Sequence, residues 1–261
     1  MGGVLTVGVD LAAEPAGTAL AVIEWSSGRA QLRDVRVGVD DNAIVDAVVG
    51  ADKAGIDCPL GWPAAFLEFI TAHHTGHVTV PNDAAGLVWR RKLAYRVTDE
   101  IVHRAVGRWP LSVAADWIGH TAMRAAALLA VLADRGYPVD RTGAGVVVEV
   151  YPAASMHIWE LPTRGYKGTA NLPRLAELVH RLQAQIPWLD LGSHETLCRA
   201  CDHATDALIA ALTARAAALG LATRPDDEHL ATARTEGWIA LPTSPLNGLQ
   251  PPSTTSQHKD P

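Results

Sequence analysis

The run "VVVEVYP", Val146 to Pro152, constrains the fold more than any other stretch of this sequence. Consecutive β-branched residues favour an extended strand, and apolar side chains at successive positions fit a strand covered on both faces. A glutamate in the middle of such a strand is a physical problem. An unpaired buried carboxylate costs on the order of several kcal/mol, so Glu149 needs a cationic partner, a proton or a metal ion. In any of these cases, other parts of the chain must converge on that strand.

The N-terminal part supplies candidates. Val4 to Leu11, Thr18 to Trp25 and Ala30 to Gly38 read as strands separated by short turns, which implies an antiparallel meander. "DDNAIVDAVVG" predicts a helix with Asp41 or Asn42 near its N-cap and Gly50 at its end. "KAGIDCPLGWP" predicts a fourth strand, Ala54 to Cys58, stopped by Pro59. Residues 63–144 are mostly helical, with a long Ala/Leu helix from about Val113 to Arg135. After the fifth strand come a helix opening near Asn171 and a long terminal helix from about His194 to Leu219. "EGWIALP", Glu236 to Pro242, is either a short strand or an ordered loop. The Pro/Ser/Thr/Gln-rich residues 247–261 are expected to be disordered.

This order, β-β-β-α-β-α-β-α, is that of a ribonuclease H-like α/β domain spanning 1–246. Its mixed five-stranded sheet would have three antiparallel meander strands and two parallel ones, flanked by helices, with residues 63–144 as a helical insertion. The first, fourth and fifth strands would then lie side by side. A doubly wound nucleotide-binding fold fits less well, because its first strand leads at once into a helix.

Bulk properties exclude several classes. With 22 Lys+Arg against 28 Asp+Glu the formal charge is −6, which argues against coating nucleic acid through bulk charge, but not against a local basic groove. Three cysteines do not make a disulfide framework, and no apolar run reaches membrane-spanning length. A cytoplasmic protein without a membrane partner is expected.

Three acids interrupt apolar strands: Asp10 in "VGVDLA", Asp57 in "AGIDCP" and Glu149. Neighbouring strands lie about 4.8 Å apart, so acids at matching heights on three of them can share a divalent ion. The terminal helix adds "CDHATDALIAAL", in which Asp202 and Asp206 are four residues apart and share a face. Either can join the cluster; Asp206 is favoured because it leads into the apolar side marked by Leu208 and Leu212. Such a concentration of negative charge is stable only with cations, and hard oxygen donors suit magnesium or manganese, as one ion or two. Glu149 is then explained as a metal ligand.

The segments "GVDLA…GTALAV", "GIDCPLGWP", "YRVTDEIVHR", "VEVYPAAS…W", "GYKG", "DHATDALIAALTA" and "EGWIALP" together resemble the domain-of-unknown-function family 429. That family is described as predicted ribonuclease H-like nucleases. The resemblance implies that fold and a nuclease activity, with Asp10, Asp57, Glu149 and Asp206 (with Asp202) in the metal-site positions. Arg96, Thr98, Asp99, Tyr166 and Lys167 match further motifs of the family.

Two more features bear on function. Arg90, Arg91, Lys92, Arg96, Arg104 and Arg108 stand against Asp99 and Glu100 in one short stretch. They make either a phosphate-binding surface, with Trp89, Tyr95 and Trp109 to stack bases, or a solvated helix with pairs such as Arg96–Glu100. "HETLCRACDH" has zinc-like spacing, but one helix cannot wrap a tetrahedron, so its cysteines read as core residues. The expected activity is magnesium- or manganese-dependent hydrolysis of DNA or RNA. Asp10, Asp57, Glu149, Asp206 and Lys167 would be catalytic, with Arg90, Arg91, Lys92 and Arg96 on the substrate. A non-catalytic nucleic-acid or nucleotide-binding module and an actin-like or sugar-kinase-type phosphotransferase are the alternatives.

Overall fold

Strands β1 (Val4–Asp10), β2 (Ala19–Ser26) and β3 (Arg29–Val37) form the expected antiparallel meander. The structure, a computed structural model, describes residues 3–81, 86–137 and 139–252. Helix α1 (Asp41–Val49) follows, capped by Asp40 rather than Asp41 or Asn42: the Asp40 carboxylate accepts the Ala43 amide at 2.9 Å. Strand β4 (Lys53–Asp57) then returns parallel to β1. Helices α2 (Ala64–His74), α3 (Leu87–Ala94), α4 (Val97–Val106) and α5 (Gly119–Asp134) occupy the insertion before β5 (Val147–Glu149), which pairs parallel with β4.

The chain continues through α6 (Pro152–Ile158), α7 (Leu172–Gln185), β6 (Leu189–Asp190), α8 (Glu195–Ala200), α9 (Asp202–Ala218) and α10 (Leu230–Glu236). The result is an α/β fold with a mixed sheet ordered β5-β4-β1-β2-β3-β6 and flanked by helices. It has six strands, not five. The extra strand is two residues long, pairs parallel with β3, and is too short to show any alternation in sequence.

Other boundaries also differ from expectation. The terminal helix is broken at Cys201, whose backbone is extended (φ −139°, ψ 117°), so α9 begins afresh at Asp202. Residues 246–249 form a 3-10 turn that buries Leu246 and Leu249, so the expected disordered tail does not start at 247; residues 253–261 lie outside the described ones. "EGWIALP" makes an isolated parallel bridge, Ile239 to Glu149, at the end of β5. Among the described residues no helix is long and apolar enough to cross a membrane.

Two cores flank the sheet. One packs α1 and α5 against Val7, Val9, Ala54 and Ile56; the other packs α6, α7 and α9 against Ala19, Ala21, Ile23 and Val148. Helix α9 is buried on all sides from Ala204 to Ala217, so it has no polar face. It also lies unusually deep. A Cβ on Gly8 would stand 2.0 Å from the Ala207 carbonyl oxygen and 2.2 Å from the Ala211 amide nitrogen, and one on Gly55 2.6 Å from the Ala210 oxygen. Gly8 and Gly55 are register partners, so together they make a bare strip on which the helix backbone rests.

Gly8→Ala is therefore expected to force α9 off the sheet. Overpacking typically costs about 1–3 kcal/mol. Gly50→Ala, whose Cβ would meet nothing closer than 3.6 Å, is the control. Denaturant unfolding should show a lowered midpoint for the first and little change for the second; equal midpoints would contradict the seating of the helix.

Candidate functional site

The alternation of side chains along a strand decides which acids meet. Asp10 and Asp57 are register partners at the ends of β1 and β4. Each lies two residues beyond its glycine in the bare strip, so both point to the face that carries α9. Asp206 stands one residue before Ala207, the point at which α9 touches Gly8. The depth of the helix thus delivers a third carboxylate to the pair.

Three further side chains contact these acids. Tyr166 donates its hydroxyl to Asp206 Oδ1 at 2.8 Å, and Lys167 Nζ lies 2.6 Å from Asp206 Oδ2. His203 Nδ1 is 2.7 Å from Asp10 Oδ2. His203 precedes Asp206 by three residues and shares its helix face, a signal present in the sequence but masked there by the zinc-like spacing of "HETLCRACDH". Asp202 does something different. Its Oδ2 accepts the Gly168 amide at 3.2 Å, which ties the "GYKG" loop to the start of α9.

Asp57 stands out. It accepts no hydrogen bond from any described residue, and Lys167 reaches it only through charge. Burial, then Asp10 and Asp206, push its carboxyl well above the ordinary 3.8. Burial also raises Asp206, to about 6, against the pull of Lys167. The hydrogen bond to Asp10 raises His203. Burial disfavours the Lys167 ammonium, yet Asp206, Asp10 and Asp57 hold it above its usual value. Its side chain is nevertheless 61% exposed, so a cation on the solvent side faces the acids.

Among the described residues no group of three or more His, Cys, Asp or Glu is already arranged to hold a metal ion. The donor set still suits one. Asp10, Asp57 and Asp206 offer hard oxygens only, Asp57 has no donor among the described residues, and Lys167 stands in as the neutralising cation.

Glu149 is not brought to this group. It pairs with Ile56 rather than with Asp57, one residue out of step, and so faces the opposite side of the sheet. There both its oxygens meet Arg96, Oε2 with Nη1 at 2.8 Å and Oε1 with Nη2 at 2.6 Å, and Oε2 also accepts the Leu60 amide at 3.0 Å. The buried glutamate is matched by a guanidinium.

Arg96 is accordingly not a substrate contact. It is 1% exposed, and Asp99, rather than Glu100, is its helix partner, with Nη2 to Oδ1 at 2.8 Å. Glu149 and Asp99 hold its charge above the ordinary value despite burial. Glu236 completes the knot. Its carboxylate accepts the Ala64 and Val97 amides at 2.8 Å each, at the N-termini of α2 and α4, and its carbonyl accepts Arg96 Nη1. Gly237, at φ 87°, lets Glu149 approach: a Cβ there would lie 2.7 Å from Oε2.

Arg90, Arg91 and Lys92 are exposed on α3. The nearby rings mainly serve one another. Trp109 stacks on His103 and tilts against Tyr95, while Trp89 meets Phe69 edge-on.

Both buried arrangements can be tested through stability. Because Asp57 is raised, the folded state holds its proton more tightly than the unfolded chain, so stability is lost as pH rises above 3.8. Asp57→Asn should therefore melt higher than the wild type at pH 7 in chelator, with the gap closing toward pH 4. Each tenfold difference in proton affinity between the folded and unfolded states is worth about 1.4 kcal/mol. A wild type that melts higher than the variant at pH 7 would contradict it. Arg96→Met should cost about 3–5 kcal/mol by stranding Glu149, whereas Arg90→Gln should stay within about 0.5 kcal/mol. Equal unfolding midpoints for these two variants would mean that the pair is not buried.

Comparison with curated proteins and with solved structures gives no match. The family model described as "Protein of unknown function (DUF429)" matches residues 8–230, and the chain belongs to that family.

Proposed function

We propose that this chain is a divalent-metal-dependent nuclease on a ribonuclease H-like sheet. The observation that carries the reading is that Asp10 and Asp57 are register partners on the face under α9, with Asp206 in electrostatic reach of both and no hydrogen-bond donor to Asp57 among the described residues. The strand order supports the fold assignment: a meander β3-β2-β1 continued by parallel β4 and β5. Bound magnesium or manganese supplies Lewis acidity toward a phosphoryl group and neutralises the carboxylates.

The chain's own residues then have distinct roles. Asp10, Asp57 and Asp206 hold the ion. Lys167, exposed at the rim, releases Asp206 and turns to the substrate phosphate. His203 has no partner for Nε2 among the described residues while Nδ1 is bound to Asp10, so it can hold or deliver a proton there. Tyr166 fixes the orientation of Asp206 from within the core. Glu149 contributes by anchoring the end of β5 rather than by touching metal.

A phosphotransferase is less well supported. The loop after β4, "CPLGWP", is no glycine-rich phosphate cradle, and its Leu60 amide is engaged by Glu149.

Manganese titration by calorimetry, paired with cleavage of labelled single- and double-stranded DNA and RNA, tests the proposal. Wild type should bind manganese and cleave, while Asp10→Asn and Asp57→Asn should lose at least about 100-fold in cleavage, about 2.7 kcal/mol in barrier. Binding without cleavage would make the chain a non-catalytic module. Manganese binding unaffected by either variant would remove the site.

A further inference from the structure

A cavity of about 270 Å³ opens between the C-terminal end of α4, the helix α6 and the loop that leads to Lys167. Its walls carry Arg108, Arg164, His157 and Thr163. None of the ion pairs among the described residues involves either arginine. Among the described residues Arg108 donates to hydroxyls only, Thr163 Oγ1 at a long 3.4 Å and the phenol of Tyr151. In a chain of net charge −6, two guanidinium groups and an imidazole that line one recess without carboxylate partners among the described residues make it a candidate anion site.

The recess adjoins the acid centre. The Tyr151 hydroxyl is bonded to Arg108 and lies within electrostatic reach of Asp57 and Lys167. Arg164, on the cavity wall, is three residues from Lys167, which sits on Asp206, so the chain spans at most about 11 Å between them. A cationic pocket and a metal-type centre are thus joined by one loop. Arg108 and Thr163 are half-buried toward the base, while Arg164 and His157 are exposed at the mouth. The two guanidinium groups exceed what a singly charged diester requires and suit a phosphomonoester, which carries about −1.5 to −2.

We propose that this cavity binds the terminal phosphate of a nucleic-acid strand while a neighbouring phosphodiester lies on Asp10, Asp57 and Asp206. The proposal rests on the nuclease reading for its second half and on the pocket alone for its first. It makes the enzyme one that recognises strand ends: ends bearing a phosphate are preferred to ends bearing a hydroxyl.

The test uses the full chain and two measurements. Inorganic phosphate is titrated calorimetrically without divalent metal into wild type, the double variant Arg108→Gln/Arg164→Gln, and Asp57→Asn. Wild type and Asp57→Asn should bind alike, and the double variant at least tenfold more weakly, with unchanged circular dichroism. Short oligonucleotides with a 5′-phosphate, a 3′-phosphate or neither are then compared, so that the end recognised is identified. A preference of tenfold or more for one phosphorylated end, lost in the double variant, supports the proposal. Phosphate binding that ignores the two arginines, or equal binding of all three oligonucleotides, overturns it. Arginine-dependent phosphate binding in a chain that binds no manganese supports the pocket and overturns the nuclease reading.

Discussion

The backbone of α9 lies directly on the backbones of β1 and β4, and the candidate site depends on that contact. Glycine at positions 8 and 55 and alanine at 207, 210 and 211 leave no side chain larger than a methyl between helix and sheet. Asp206 gains its position from this closeness, since it adjoins the residue that touches Gly8. A larger side chain at any of these points would hold the helix further out and separate Asp206 from Asp10 and Asp57. The absence of a polar face on α9 follows from the same contact, because both its flanks are covered once it has sunk to this depth.

A second constraint acts on the other side of the sheet. Arg96 joins the start of α4 to the end of β5 through Glu149, and Glu236 joins α2 and α4 to the C-terminal end of α10. A small apolar cluster, Val102, Ala154, Ile239 and Leu241, packs the same pieces together beside the polar knot. A guanidinium with two carboxylates and a backbone carbonyl around it fixes distance and angle at once. The motifs "YRVTDE" and "EGWIALP" meet in this knot, where Thr98 Oγ1 also accepts the Ile239 amide at 2.9 Å. Their role is to hold the strand that borders the site.

Much of this is legible in the sequence. Turn residues and alternation identify the meander, and the acids at the ends of "VGVDLA" and "AGIDCP" mark two strands that do lie side by side. The burial of Glu149 is equally plain from its valine neighbours, but its partner is not. The parity of its strand depends on the register of β5 on β4, and a one-residue offset sends a side chain to the opposite face. Arg96 looks like one charge in a basic run, because its partner in β5 is 53 residues away. The break at Cys201 is just as well hidden: "LCRACDHAT" contains neither proline nor glycine, the residues that announce a helix end. Tyr166 and Lys167 stand out in "GYKG", yet their target is visible only in the folded chain, where that loop closes over α9.

The two buried arrangements solve the same electrostatic problem in opposite ways. On one face a single buried guanidinium, Arg96, is shared between Glu149 and Asp99, and its remaining contact is the Glu236 carbonyl. On the other face Asp206 and Asp10 meet cations that solvent can reach, Lys167 and the protonated form of His203, and Asp57 is left without a donor among the described residues. A structural ion pair does not need an exposed lysine or an acid without a donor. Both features fit the proposed metal site, where a divalent cation would displace the proton that burial and the neighbouring acids hold on Asp57.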